Sequence, residues 1–170
     1  INVVLMRNFN LDELRDFSEL TKENNVTVRF IELMPFDSKQ IWKTGNFCSF
    51  QKIIDNLFEF YPKMLPTNGT TTEHRIYEIP GYKGKIAVIP AYSRNLCGAC
   101  NRIRITADGK ILNCLFSGEE TDIMKFLREG SNDADIVQAL CLAMMNKLKN
   151  GWDAQRSRNE KRDSMTKIGG

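Results

Sequence analysis

INVVLMRNFNLDELRDFSELTKENNVTVRFIELM, residues 1–34, decides the fold. INVVLMR is a short, almost continuous apolar run of the kind that buried strands show. In NLDELRDFSELTKEN the apolar residues Leu11, Leu14, Phe17 and Leu20 recur at helical spacing. Asn10 stands where an N-cap belongs, and Glu13 stands at the capping-box position. VTVRFIELM then returns to β-branched and apolar residues and stops at Pro35. Strand, helix and strand in so short a span make a βαβ unit, which predicts a parallel sheet covered by a helix.

Beyond this unit, residues 35–48 mix Pro, Gly, Asn, Lys and Trp42 without a period and read as a loop leaving the carboxyl end of the second strand. Ligands bind at that end in parallel α/β folds. SFQKIIDNLFEFYP is a second helix, with Phe50, Ile53, Ile54, Leu57, Phe58 and Tyr61 on one face and Pro62 beyond its end. RIYEIPGYKGKIAVIP reads as two strands around Gly81–Gly84, and RIRITADGKILNCLF as a hairpin closed at Asp108-Gly109. DADIVQALCLAMMNKLKN is a late amphipathic helix that places Cys141 on its apolar face with Ile136, Val137, Leu140 and Met144, as a buried thiol. The expected organisation is α/β over 1–64, a smaller strand-rich segment over 65–150, and a polar tail over 151–170 that is mobile in isolation.

The 170 residues are 42% apolar and 26% charged, which fits a folded globular chain and argues against disorder of the whole. No apolar run approaches a membrane span, and the first ten residues lack the pattern of a signal peptide. A chain that opens in a strand without a starting methionine reads as part of something longer. The net charge of +3 is too small to argue for nucleic acid by itself.

Five cysteines are an odd count, and three of them, Cys97, Cys100 and Cys114, fall within CGACNRIRITADGKILNC. The clustering favours a shared metal in a reducing compartment over a disulfide framework. Structural zinc needs a fourth protein ligand, for which His74, Cys48 and Cys141 are the candidates. An iron–sulfur cluster can be held by three thiolates with one iron left open. Spacing alone leaves zinc, iron–sulfur and unrelated thiols all standing.

RFIELMPFD, CGACNRIRITADGKILNCLF and the terminal Gly-Gly together resemble the C-terminal half of the GTP 3′,8-cyclase family, the radical S-adenosylmethionine (SAM) enzymes that begin molybdenum cofactor biosynthesis. The resemblance runs in order from Ile1 to Gly170. It implies the last strands of an incomplete, TIM-like radical-SAM barrel followed by a small segment carrying a [4Fe-4S] cluster. Cys97, Cys100 and Cys114 match the ligands of that cluster, whose open iron takes the purine. The family's other [4Fe-4S] cluster, which cleaves SAM, is held by a CxxxCxxC motif that this chain lacks. The chain is therefore expected to be inactive without an N-terminal half that carries it. In the intact enzyme a 5′-deoxyadenosyl radical takes hydrogen from C3′ of GTP, and C3′ then attacks guanine C8 to give 3′,8-cyclo-7,8-dihydro-GTP.

Carried over by residue, the resemblance gives Arg102, Ile103 and Arg104 to GTP, and Arg29 to a phosphate or to the tail. Guanidinium groups suit this, since they pair in a fork with phosphate oxygens. Met34 matches a SAM-contacting position, and Gly169 and Gly170 match the terminal pair that supports catalysis from within the pocket. Glu32 lies between Arg29 and Met34 with no sign of which way it faces. The resemblance further implies a homodimer, and mitochondria for a eukaryotic parent or cytoplasm otherwise. The rival reading is a zinc-stabilised nucleic-acid module using Lys83, Lys85, Arg102, Arg104 and the basic tail. A sulfur carrier activated at Gly-Gly is a weaker rival, because it needs a β-grasp domain rather than a βαβ start.

Overall fold

A computed structural model describes residues 1–34, 45–67, 74–93 and 97–157. Strand β1 (Asn2–Leu5), helix α1 (Leu14–Glu23) and strand β2 (Thr27–Glu32) form the expected βαβ unit. β1 and β2 are parallel, with Val3 beside Phe30 and Leu5 beside Glu32. The described residues divide into two compact units, one up to residue 93 and the other from residue 97.

In the first unit, helix α2 (Phe50–Phe60) and strands β3 (Leu65–Pro66), β4 (Arg75–Glu78) and β5 (Lys85–Ile89) complete a five-stranded sheet in the order β1-β2-β5-β4-β3. β5 runs parallel to β2, whereas β4 and β3 fold back antiparallel. The two strands expected around Gly81–Gly84 thus pair with the sheet that β1 and β2 begin. Their core is one cluster in which Val3, Leu5, Val28, Phe30, Ile86 and Val88 from the strands meet Leu14, Ile53 and Leu57 from the helices. Residues of β2 alternate accordingly, with Val28, Phe30 and Glu32 buried and Arg29 exposed on the other face.

Two readings of α1 change. The helix begins at Leu14, and Glu13 at its N-cap makes no side-chain capping bond. Asn10 is turned to the end of β1 instead: its Oδ1 accepts from the Met6 amide at 2.8 Å, and its Nδ2 donates to the Val4 carbonyl at 3.0 Å. The buried face also includes Ser18 and Thr21, while Leu20 is exposed. Both hydroxyls donate to backbone carbonyls of their own helix at 2.7 Å, so their burial leaves no orphan donor. Small side chains suit this face because the chain at Gly84 passes close, its amide donating to the Thr21 carbonyl at 2.8 Å. A Cβ on Gly84 would lie 2.2 Å from the Val26 carbonyl oxygen.

The second unit holds a sheet of β6 (Arg104–Ile105), β7 (Lys110–Leu112) and β8 (Thr121–Asp122), with helices α3 (Ile123–Arg128), α4 (Asp133–Met145) and α5 (Gly151–Arg156). The expected hairpin at Asp108-Gly109 is present. Gly109 sits at φ +79°, and its amide donates to the Thr106 carbonyl at 3.0 Å. Asn132 and Asn150 cap α4 and α5 through their side chains, so the first residues assigned to the polar tail form a helix.

Candidate functional site

The cysteine-bearing hairpin positions the candidate residues of the second unit. Cys97–Ala99 is a single 3₁₀ turn, with the Cys100 amide donating to the Cys97 carbonyl at 3.2 Å. The chain then enters β6, where Arg104 pairs with Leu112 of β7. The paired residues begin at Arg104 and end at Leu112, so Cys100 lies four positions before them and Cys114 two positions after them. Cys97, Cys100 and Cys114 are free thiols, each partly exposed. Arg102 and Arg104 are half-buried, whereas Ile103 and Ile105 between and after them are exposed.

Two contacts that carry no sequence signal index this hairpin against the C-terminal end of α4. Asn113, next to Cys114, is buried and donates through Nδ2 to the Ala143 carbonyl at 2.8 Å. On the other arm, Lys147 Nζ donates to the carbonyls of Cys100, at 2.8 Å, and Arg102, at 3.2 Å.

In the first unit, Arg29 is exposed on the face of β2 away from the helices, and Met34 is half-buried just past the end of that strand. Glu32 faces the helices. It is 1% exposed and accepts from the Phe50 amide through Oε1, and from the amides of Tyr92 (2.9 Å) and Ser93 (2.7 Å) and the Ser93 hydroxyl (2.9 Å) through Oε2. One carboxylate therefore fixes the end of β2, the start of α2 and the turn after β5. With every bond accepted by the ionised form, it is a structural anchor.

Two cysteine assignments are corrected by burial. Cys48, a candidate fourth ligand, is fully buried in the core of the first unit, where desolvation raises its thiol above the usual range and disfavours the thiolate a metal needs. Cys141, expected in a helix core, is exposed. Among the residues of α4, only Ala139 and Ala143 are buried, because the small face of the helix is the one set against the hairpin. His74 is half-buried. Gly169 and Gly170 lie outside the described residues, as does Trp42.

The basic surface of the rival reading is partly neutralised. Lys83 pairs with Glu23 at 2.9 Å and Lys85 with Glu78 at 2.7 Å. Among the described residues, no helix is long and apolar enough to cross a membrane, and no three His, Cys, Asp or Glu side chains are gathered as a metal-ion site.

An α/β unit followed by a hairpin with three free thiols and two adjoining arginines defines the class of protein: a mixed α/β chain with a cysteine-borne candidate site. The chain belongs to the Molybdenum Cofactor Synthesis C family, whose sequence model matches residues 26–152. It is 39% identical over 170 residues to a GTP 3′,8-cyclase of Chlorobaculum tepidum, covering all of this chain and 51% of that protein. A GTP 3′,8-cyclase of Desulforamulus reducens is 35% identical over all of this chain and 52% of its own. Molybdenum cofactor biosynthesis protein 1 of Homo sapiens is 36% identical over 149 residues, 86% of this chain and 23% of that protein. The chain thus spans about half the length of the two cyclases. The family description and the human relative's name both specify molybdenum cofactor synthesis.

Proposed function

We propose that this chain is the C-terminal, substrate-holding portion of a GTP 3′,8-cyclase that converts GTP to 3′,8-cyclo-7,8-dihydro-GTP using SAM. One observation carries the reading: three free, partly exposed cysteines flank the paired strands of a single hairpin, with Arg102 and Arg104 between the second and the third. The donor set fits a [4Fe-4S] cluster held by Cys97, Cys100 and Cys114. Ligands of a cluster bind different irons, so they need not converge on one point as the ligands of a tetrahedral zinc ion do.

When bound, the cluster supplies an open iron for the purine. The chain's own residues do the rest of the holding. Arg102 and Arg104 bring two guanidinium groups to the anionic substrate, each able to form paired, charge-assisted hydrogen bonds with phosphate. Ile103 adds an apolar wall. Arg29, on the face of β2 opposite the core, offers a further cation, and Met34 packs against SAM. Gly169 and Gly170 support catalysis from within the pocket, where the absence of Cβ suits a narrow channel. SAM cleavage belongs to a second cluster on the N-terminal half of the same enzyme, and a mitochondrial location to a eukaryotic parent.

The test replaces Cys97, Cys100 or Cys114 by Ser in the full-length enzyme. GTP cyclisation is expected to be lost while SAM cleavage persists at least in part. Equal loss of both activities would reduce the three cysteines to a structural role.

A further inference from the structure

Lys147 lies 47 residues after Cys100, just beyond the C-terminal end of α4, yet its ammonium group is committed to the cysteine hairpin. Its Nζ makes three contacts, to the Cys100 carbonyl at 2.8 Å, the Arg102 carbonyl at 3.2 Å and Cys100 Sγ at 3.5 Å. An ammonium has three N–H donors, and these contacts can use all of them. The side chain is half-buried, and its position at the end of α4 is fixed by the Lys147 amide, which donates to the Met144 carbonyl at 3.2 Å. The Asn113 bond to Ala143 ties the Cys114 arm to the same helix end. The end of α4 is thereby a common reference for both arms.

Resting on the function proposed above, we infer that Lys147 is a positioning residue for that site. It fixes the backbone at Cys100 and Arg102, and it sets a cationic N–H donor against the Cys100 sulfur. A donor to a ligand sulfur and a nearby positive charge both favour the reduced, more negative state of an iron–sulfur cluster. One side chain would therefore set the cluster's potential and the placement of the arginine segment together. Arginine can replace the charge and the donors, though not their compact shape.

The experiment compares Lys147→Met and Lys147→Arg in the full-length enzyme. It follows, by electron paramagnetic resonance during a redox titration, the cluster signal that Cys100→Ser removes. Lys147→Met is expected to shift the reduction equilibrium about tenfold toward the oxidised state, ~59 mV for one electron, and to raise the half-saturating GTP concentration. Lys147→Arg is expected to recover most of both. A fully loaded Lys147→Met enzyme with unchanged potential would overturn the inference. If Lys147→Met takes up no iron, Lys147→Arg decides: restored loading upholds the role, and an equally empty site overturns it. Failure of the underlying function would show differently, since Cys100→Ser would then remove no signal.

Discussion

Glu32 shows how much one side chain can hold. Glu32→Ala would leave the amides of Phe50, Tyr92 and Ser93 without their acceptor. A buried unsatisfied group costs about 1–3 kcal/mol, which applies in full to the Phe50 amide and less to the half-buried amides of Tyr92 and Ser93, so a loss of about 1–3 kcal/mol or more is expected, read as a lower denaturation midpoint. Glu19 is a second carboxylate at a junction. The hydroxyls of Tyr82 and Tyr61 each donate to its Oε1 at 2.7 Å, and these bonds, Tyr82's first, hold its carboxyl below the usual range. A depressed folded value stabilises the protein above the unfolded value, near 4.3, and that contribution is lost as pH falls through the folded value. Tyr82→Phe should therefore lower the melting temperature at neutral pH and flatten its fall on the acid side. An unchanged acid limb in thermal melts would show that this triad does not couple to stability. Tyr61 has the opposite sense. Burial, and then the bond to Glu19, raise its hydroxyl, so its contribution is present below the unfolded value and is lost as pH rises through the folded one.

Among the elements, the β6–β7 turn makes the most specific demand. Gly109 is at φ +79°, and a Cβ there would lie 1.9 Å from Met124 Cγ. Its carbonyl also accepts from the amides of Ile123 and Met124 at the start of α3. Gly45, at φ +74°, has nothing within 4 Å of its would-be Cβ. Gly45→Ala should cost only the left-handed strain of about 1–2 kcal/mol, and Gly109→Ala measurably more, as chemical denaturation of the two variants would show. Equal losses would mean that Met124 moves aside freely. This turn was legible in the sequence because Asp-Gly between alternating apolar residues has a local cause. So were β2 and α2, whose periods are local, and the cysteine trio, whose spacing is local. What could not be read there depends on partners distant in sequence. The seat of β5 beside β2, the backbone bonds of Asn10 and the bonds of Lys147 leave no period. In α4, DADIVQALCLAMM is apolar on nearly every side, so the expected face was right only in part: Ile136, Leu140 and Met144 are half-buried, whereas Val137 and Cys141 are exposed. Close approach to the hairpin chose Ala139 and Ala143, leaving Val137, Cys141, Leu142 and Met145 exposed.

Across the whole molecule the two units are unequally furnished. The first has a sixteen-residue buried cluster, whereas the buried apolar residues described from 97 onward are Ile111, Leu112, Phe116, Ala139, Ala143 and Ala154. Three of these six are alanines, so the second unit draws less on hydrophobic burial, and the proposed cluster would add to its stability. Removing iron from the full-length enzyme should accordingly speed amide hydrogen exchange in residues 97–157 while β2 and β5 stay protected. Equal change in both units, or none, would count against this division. The alternation along β2 carries a further consequence. Val28, Phe30 and Glu32 answer to the core, whereas Arg29 is exposed on the opposite face. The two faces interleave residue by residue on six positions of chain. If Arg29 serves the proposed site, selection for folding and selection for function act there on neighbouring codons without competing, and Arg29 could change while the scaffold stays intact.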